Sequence, residues 1–156
     1  IFLGVSHTSA EEVNEEVVVD FVEESELLAD TMSFDSVLDE VKAYNWKFPH
    51  VVFAQFLLES GGFSSALTRT NNNFAGMKVA VRRLTTANKT NLNVYAHYTD
   101  YKHCVVDRAL YEASFLRDIT SEEEYYKTVS RIYAEDGSYE RKLRMLVEAY
   151  KLKELF

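Results

Sequence analysis

The stretch PHVVFAQFLLES, residues 49–60, is the feature that most limits how this chain can fold. Pro49 suits the first turn of a helix, because the N–H that proline lacks would have no intrahelical partner there. Gly61 and Gly62 are typical of residues that end a helix. Since apolar residues occupy nearly every side of the segment, it does not fit a half-exposed surface helix. The sequence therefore predicts a buried central helix with the other elements packed around it.

The remainder of the chain indicates a compact and mainly helical protein. Its 156 residues suffice for one domain with a real core, 47% of them are hydrophobic, and only one is proline. Apolar periodicity and capping residues predict further helices. They are Asp35 to Tyr44 with Ser33 as its cap, and approximately 101–116, 121–135 and 138–155.

Residues 77–98 depart from the helical period. The segments VAVRRLTT and NLNVYAHY are rich in β-branched and aromatic residues, and residues 88–91 between them resemble a turn. This pattern predicts a small β-hairpin or an irregular flap.

Acidic residues are concentrated at the N-terminal end. Residues 1–41 carry 12 of the 25 Asp and Glu residues and no Lys or Arg, whereas residues 42–156 carry all 17 bases. We therefore expect an acidic helical arm over residues 1–45, with an amphipathic helix at about 11–29, that needs a protein partner or the basic remainder of the chain. The remainder is too weakly basic to indicate nucleic-acid binding. No apolar stretch approaches the ~20 residues that span a bilayer.

Neither cysteine nor histidine indicates a metal site. Cys104 is the only cysteine, and its apolar neighbours are typical of a small core residue. The histidines show no ligand spacing: they are His7, His50, His97 and His103. We expect no metal and no organic cofactor. No signal peptide is visible, so we expect a processed or excised piece.

Glu59 is the residue most able to carry chemistry. It lies in the last turn of the central helix, among apolar neighbours, and both burial and the negative end of its own helix should raise its pKa. A carboxyl group that holds its proton near neutral pH suits a general acid. The alternative is a helix-end glutamate that points into water.

Four short stretches resemble one enzyme family. They are residues 59–67 (ESGGFSSAL), 72–78 (NNFAGMK), 98–107 with Tyr98, Tyr101 and Asp107, and 133–139 with Tyr133, Asp136 and Tyr139. In this order they resemble motifs of the mannosyl-glycoprotein endo-β-N-acetylglucosaminidase-like domain of bacterial and phage cell-wall hydrolases, glycoside hydrolase family 73. The resemblance spans about residues 50–150.

The resemblance implies a fold and a site. The fold is lysozyme-like over residues 46–156, mainly α with some β, with the central helix buried and the small hairpin over the substrate groove. Glu59 would be the general acid, and Tyr139 would orient the acetamido group or an attacking water, unless it is only a core aromatic. The implied substrate-binding residues are Asn72, Asn73, Phe74, Tyr98 and Asp100. Asp107 and Asp136 fit a helix surface and a cap better than catalysis.

The sequence departs from the family pattern at two points. Ala75 interrupts the usual Phe-Gly of the second motif, and residues 79–97 contain no Asp or Glu where some members place a second carboxylate. A 2-acetamido sugar can supply its own nucleophile, so Glu59 would suffice with such a substrate. Alternatively, Asp100 lies across the cleft and activates water.

The resemblance thus implies a peptidoglycan hydrolase that cleaves β-1,4 bonds of the glycan strand, with Arg82 and Arg83 facing carboxylates of the peptide stems. We expect such an enzyme in an extracellular, periplasmic or cell-wall location, or associated with a virion. Two alternatives remain. One is a structural component of a phage particle with weak or lost activity, and the other is a lytic transglycosylase or muramidase.

Overall fold

The computed structural model describes residues 31–88, 95–133 and 137–156. The predicted acidic helix at 11–29 lies outside these residues, and the predicted arm over 1–45 stays a prediction. The described residues form six α-helices and one short 3-10 helix. They are α1 (Phe34–Lys42), α2 (Pro49–Ser60), α3 (Ala66–Asn71), α4 (Tyr101–Phe115), α5 (Glu122–Tyr133), α6 (Tyr139–Ala149) and the 3-10 helix Leu152–Glu154. The mainly helical prediction is confirmed.

Helix α2 is the buried centre of the fold, as its composition predicts. It packs against α1, α6 and the 3-10 helix. The side chains of Val51, Val52, Phe53 and Phe56 have no exposed surface, and burial of each stabilises the fold by about 1.5–3 kcal/mol. Pro49 begins the helix and Gly61, in the left-handed conformation, ends it.

Helix α1 begins at a capping box. The Ser33 side chain accepts a hydrogen bond from the backbone N–H of Ser36, and the Ser36 side chain accepts one from the backbone N–H of Ser33. Val37 and Val41 are fully buried where α1 packs against α2 and α4. The predicted cap at Ser33 is therefore confirmed.

The predicted β-hairpin is not confirmed in the part of residues 77–98 that the structure describes. Lys78 and Tyr95 form one isolated antiparallel bridge. Two further backbone hydrogen bonds join the arms of the segment, from Ala96 N–H to the Met77 carbonyl and from Asn88 N–H to the His97 carbonyl, both 2.8 Å. Thr86 ties it to α4 with a 2.6 Å hydrogen bond to the carbonyl of His103. None of the described helices is both long and apolar enough to cross a membrane.

Candidate active site

Glu59 lies where α2 ends in a left-handed turn. Gly61, Gly62 and Phe63 have φ angles of 57°, 67° and 65°. The Ser60 hydroxyl fixes the turn, because it donates to the Phe56 carbonyl at 2.5 Å and accepts from the Phe63 N–H at 2.7 Å. The chain therefore reverses immediately after the last turn of α2, beside the glutamate.

The Glu59 side chain opens into a cleft of about 670 Å³. The segment 76–83 forms one wall, and Tyr111 and Phe115 of α4 and Ile132 and Tyr133 of α5 also line the cleft. The remaining lining residues are Leu67 and Tyr95. Burial raises the pKa of Glu59 above its ordinary value, in the direction that the sequence predicts.

Tyr139 contacts Glu59 directly. Its hydroxyl donates a 2.6 Å hydrogen bond to Oε1 of Glu59, and this bond opposes part of the rise in the pKa of the carboxyl group. Burial, followed by the nearby Glu59 charge, raises the pKa of Tyr139 far above its ordinary value, so the phenol keeps its proton. Tyr133 stacks on Tyr139 with ring centroids 6.3 Å apart. The structure therefore brings together the two predicted catalytic residues.

The predicted substrate-binding residues Asn72 and Asn73 hold the backbone beneath the cleft. Asn72 ends α3 in the left-handed conformation, and its amide donates to the carbonyls of Tyr98 and Thr99 at 3.1 and 3.2 Å. Asn73 is buried; its amide donates to the carbonyls of Met77 and Ala96, both at 2.9 Å, and its oxygen accepts from the Met77 N–H. The NH₂ group of Asn72 and both ends of the Asn73 amide are therefore occupied by the protein's own backbone.

Phe74 and Tyr98 are fully buried, and neither lines the cleft. Phe74 packs edge-on against Phe56, with ring centroids 4.9 Å apart. The Tyr98 hydroxyl donates a 2.6 Å hydrogen bond to Oδ2 of Asp107. The two aromatic rings support the cleft from behind and offer no exposed face to a sugar.

Asp100 is the N-cap of α4 and does not line the cleft. Its Oδ1 accepts from the backbone N–H of His103 at 3.0 Å and lies 2.8 Å from Nδ1 of the same histidine. Partial burial raises the pKa of Asp100, but the hydrogen bonds from His103 outweigh it, and the net pKa is lowered. Among the described lining residues, Glu59 is the only carboxylate.

Sequence reasoning missed several residues of the cleft. Tyr95 and Phe115 expose 47% and 55% of their surfaces on its walls. They come from separate parts of the chain, and their spacing gave no signal. Lys78 lines the cleft as well, and so does Arg82, which the sequence analysis did place beside the groove; both side chains are exposed and have no partner in the described part of the chain.

Arg83 behaves differently from its neighbour Arg82. Its guanidinium binds Asp107 with two hydrogen bonds, of 2.6 and 3.1 Å. The Asp107 side chain is fully buried, and Arg83 is nearly so. The guanidinium of Arg83 is therefore occupied by Asp107, in contrast to the expectation that Arg83 faces the substrate. Within the described residues, no three His, Cys, Asp or Glu side chains are grouped as metal ligands.

Behind Tyr139 lies a buried polar cluster that the sequence did not reveal. It consists of Gln55 of α2, Arg108 and Glu112 of α4, and Tyr125 of α5, all of them buried. The one signal was Gln55, the single polar side chain within the apolar run of residues 51–58.

Comparison with known proteins gives one family and one solved structure. Residues 34–152 match the family Glucosaminidase, described as mannosyl-glycoprotein endo-beta-N-acetylglucosaminidase. The structure is similar to the catalytic domain of the autolysin Auto from Listeria monocytogenes, with a TM-score of 0.54 and 22% sequence identity over 97% of this chain and 100% of that one. This likeness concerns the fold and is consistent with a lysozyme-like arrangement. Comparison with curated proteins gives no match.

Proposed function

The chain belongs to the mannosyl-glycoprotein endo-beta-N-acetylglucosaminidase family, and from this premise we propose that it is a peptidoglycan hydrolase with Glu59 as its general acid. It is a glycoside hydrolase that acts on the cell wall. We further propose the N-acetylglucosaminyl β-1,4 bond as its target and an extracellular or cell-wall location.

The observation that supports this role is the position of Glu59. Its carboxyl group is half-buried on the wall of the cleft, and Tyr139 binds Oε1 at 2.6 Å. Because burial raises the pKa of Glu59, the group holds its proton to a higher pH than an exposed glutamate. A general acid needs this property to protonate the oxygen of a departing sugar.

The surroundings of Glu59 favour an acetamido-assisted mechanism. Glycosidases ordinarily use two carboxylates, but no second carboxylate is present among the described lining residues. In the proposed first step, the Glu59 proton moves to the glycosidic oxygen and the C1–O bond breaks, while the acetamido oxygen bonds to C1. Water then attacks C1, its proton passes to the Glu59 carboxylate, and the acetamido group is restored.

Asp100 remains the alternative partner, as an activator of water. Its lowered pKa keeps it ionised, as a general base must be, but the same shift makes it a weaker base. Its side chain is however engaged with His103 and caps α4. These contacts make Asp100 the weaker candidate.

The exposed aromatic residues of the cleft suit a glycan strand. Tyr95 and Phe115 offer ring faces and edges on which a sugar can stack. Lys78 and Arg82 lie on the 76–83 wall and can meet peptide-stem carboxylates. For Asn72, Asn73, Phe74 and Tyr98 we propose an indirect part in substrate binding, through support of these walls.

The test is mass spectrometry of the soluble products released from purified peptidoglycan. The proteins to compare are the unmutated chain, Glu59→Gln, and Glu148→Gln as a control at an exposed glutamate. We expect fragments with a reducing-end N-acetylglucosamine from the unmutated chain and from Glu148→Gln, but not from Glu59→Gln.

Other products would revise the proposal in distinct ways. A reducing-end muramic acid would indicate a muramidase. Anhydro products, lighter by one water, would indicate a lytic transglycosylase. No release from several wall types by a folded sample would support a structural component instead, and release by Glu59→Gln equal to the unmutated chain would exclude Glu59 as the acid.

A further inference from the structure

We infer that Arg108 and Gln55 are positioning residues for Glu59: a guanidinium only donates hydrogen bonds, so it fixes the orientation of the Gln55 amide, and that amide directs the Tyr139 proton to Glu59. This inference rests on the proposed role of Glu59 as the acid. It gives a functional role to the buried polar cluster of Gln55, Arg108, Glu112 and Tyr125, none of which lines the cleft.

The first step is the direction of the bond between Arg108 and Gln55. Arg108 has 1% of its surface exposed, and its Nη2 lies 2.8 Å from Oε1 of Gln55. A guanidinium carries donors and no acceptor. The opposite orientation of the Gln55 amide would place its NH₂ against these donors, inside a core where unpaired polar groups are costly. Gln55 is therefore held with its oxygen toward Arg108.

The second step follows from this orientation. With Oε1 turned to Arg108, Nε2 of Gln55 lies 3.4 Å from the Tyr139 hydroxyl. An amide nitrogen donates, so the Tyr139 oxygen is the acceptor on that side. The single phenolic proton is then directed to Oε1 of Glu59, 2.6 Å away.

The third step concerns the proton that Glu59 gives to the substrate. Oε1 already accepts the Tyr139 proton, so an acidic proton on Glu59 belongs on Oε2. That oxygen is the one beside Gly76, where a Cβ would lie 3.0 Å from it. Gly76 lines the cleft, so this arrangement holds the acidic proton on the oxygen beside the cleft wall.

Arg108 is anchored from its other side. Its Nη2 also donates to the Tyr125 hydroxyl at 2.9 Å, and Tyr125 donates to Oε2 of Glu112 at 2.5 Å. The Glu112 carboxylate lies 3.5 Å from Nη1 of Arg108 and accepts the backbone N–H of Lys47 through Oε1. These contacts hold the guanidinium in place and balance its charge.

A pH test has to consider every titratable group that faces Glu59. Tyr139 of α6 touches it, and the charge of Glu59 acts on Tyr133 of α5. The titratable groups that share its cleft are Lys78, Arg82, Arg83, Tyr95 and Tyr111. None of these is altered in the variants below, except Tyr139 itself.

The test is a double-mutant cycle on the full chain, with Gln55→Glu, Tyr139→Phe and the combined variant. A carboxylate at position 55 can only accept, so it competes for the Tyr139 proton while it still pairs with Arg108. The readouts are kcat on peptidoglycan as a function of pH, and the midpoint of thermal unfolding.

We expect Gln55→Glu to move the alkaline limb of the kcat profile to higher pH and to lower kcat by about tenfold, the equivalent of one hydrogen bond. When Gln55→Glu is combined with Tyr139→Phe, the alkaline limb of the kcat profile should lie at the same pH as in Tyr139→Phe alone. A shift of equal size in both backgrounds would overturn the inference, because it would show a through-space effect of charge.

A second pair of variants decides the question if Gln55→Glu does not fold. Arg108→Lys keeps a donor-only group and should leave the alkaline limb where it is in the unmutated chain. Arg108→Gln permits either amide orientation and should raise the limb when Tyr139 is present, but not in the Tyr139→Phe background, where a pure effect of the lost charge would persist. An alkaline limb at the same pH in Arg108→Lys and Arg108→Gln would contradict the inference. These outcomes are separate from the proposed function, which is tested by the products that the unmutated chain releases and by the activity of Glu59→Gln.

Discussion

A methyl group at position 76 would stand 3.0 Å from Oε2 of Glu59. Gly76 also has a φ of 61°, a conformation that residues with a side chain rarely adopt. We therefore expect Gly76→Ala to displace the carboxyl group and to lower kcat by at least tenfold. The backbone strain should reduce the free energy of unfolding by about 1–2 kcal/mol. Initial rates on peptidoglycan and a denaturant titration measure both effects.

Gly62→Ala is the matched control for this prediction. Gly62 has a φ of 67°, but a Cβ there would meet nothing within 4 Å. The Gly62→Ala variant should therefore lose about as much stability as Gly76→Ala and keep its activity. Equal activity losses in the two variants would show that strain, and not contact with Glu59, limits the site.

Tyr139→Phe should change the pH dependence of activity. The phenol donates to Glu59 and lowers the pKa of its carboxyl group, against the effect of burial. Without that bond the pKa rises further, so Glu59 stays protonated to higher pH and the alkaline limb of kcat moves upward. Tyr133→Phe is the control and should leave the alkaline limb in place, because the Tyr133 hydroxyl donates to Sδ of Met77 and not to Glu59. An alkaline limb that moves downward in Tyr139→Phe would contradict the structure.

Asp107→Asn should destabilise the fold. Asp107 is fully buried and receives hydrogen bonds from Arg83 and Tyr98. Removal of one partner from a buried ion pair costs about 3–5 kcal/mol. Asp118→Asn, on an exposed carboxylate beside Arg117, should change the free energy of unfolding by less than about 0.5 kcal/mol. Chemical denaturation at neutral pH compares the two variants.

The same pair gives a pH dependence of stability. Burial raises the pKa of Asp107, but the bonds from Arg83, Tyr98 and Thr85 outweigh it, and the net pKa is lowered. A carboxyl group with a lowered folded-state pKa stabilises the protein above its unfolded pKa of about 3.9, and this contribution is lost as pH falls through the folded-state value. The difference between the unmutated chain and Asp107→Asn should therefore shrink below about pH 4. A difference that stays constant to the acid limit would contradict the assigned ion pair.

The parts of the fold that the sequence predicted depend on local patterns. The apolar run of α2, its proline start and its glycine end are adjacent in the chain, so the position of Glu59 in the last turn was readable. Its contact with Tyr139 joins residues far apart, and only the order of family motifs suggested it. Local sequence patterns carried no information on the distance between the Glu59 and Tyr139 side chains.

The parts that the sequence missed depend on long-range contacts. Asn72 and Asn73 suggested sugar-binding amides, but the backbone groups that occupy them come from residues 77 and 96–99. Phe74 and Tyr98 suggested a groove, but their rings fill the core. Arg108 and Glu112 are one helical turn apart in α4, a spacing equally typical of an exposed pair.

Lys78 and Arg82 should favour substrates that carry peptide stems. Both cations line the cleft and are exposed, so each can contribute about 0.2–1 kcal/mol to a carboxylate of the stem, an attraction that salt weakens. The variant Lys78→Met with Arg82→Gln should raise KM a few-fold on intact peptidoglycan at low salt and leave KM unchanged on glycan stripped of its stems. Arg117→Gln with Lys127→Met removes the same charge from exposed positions outside the cleft lining, and should alter neither value. If both double variants raise KM equally, or if KM also rises on stripped glycan, the cations attract the strand without recognising its stems.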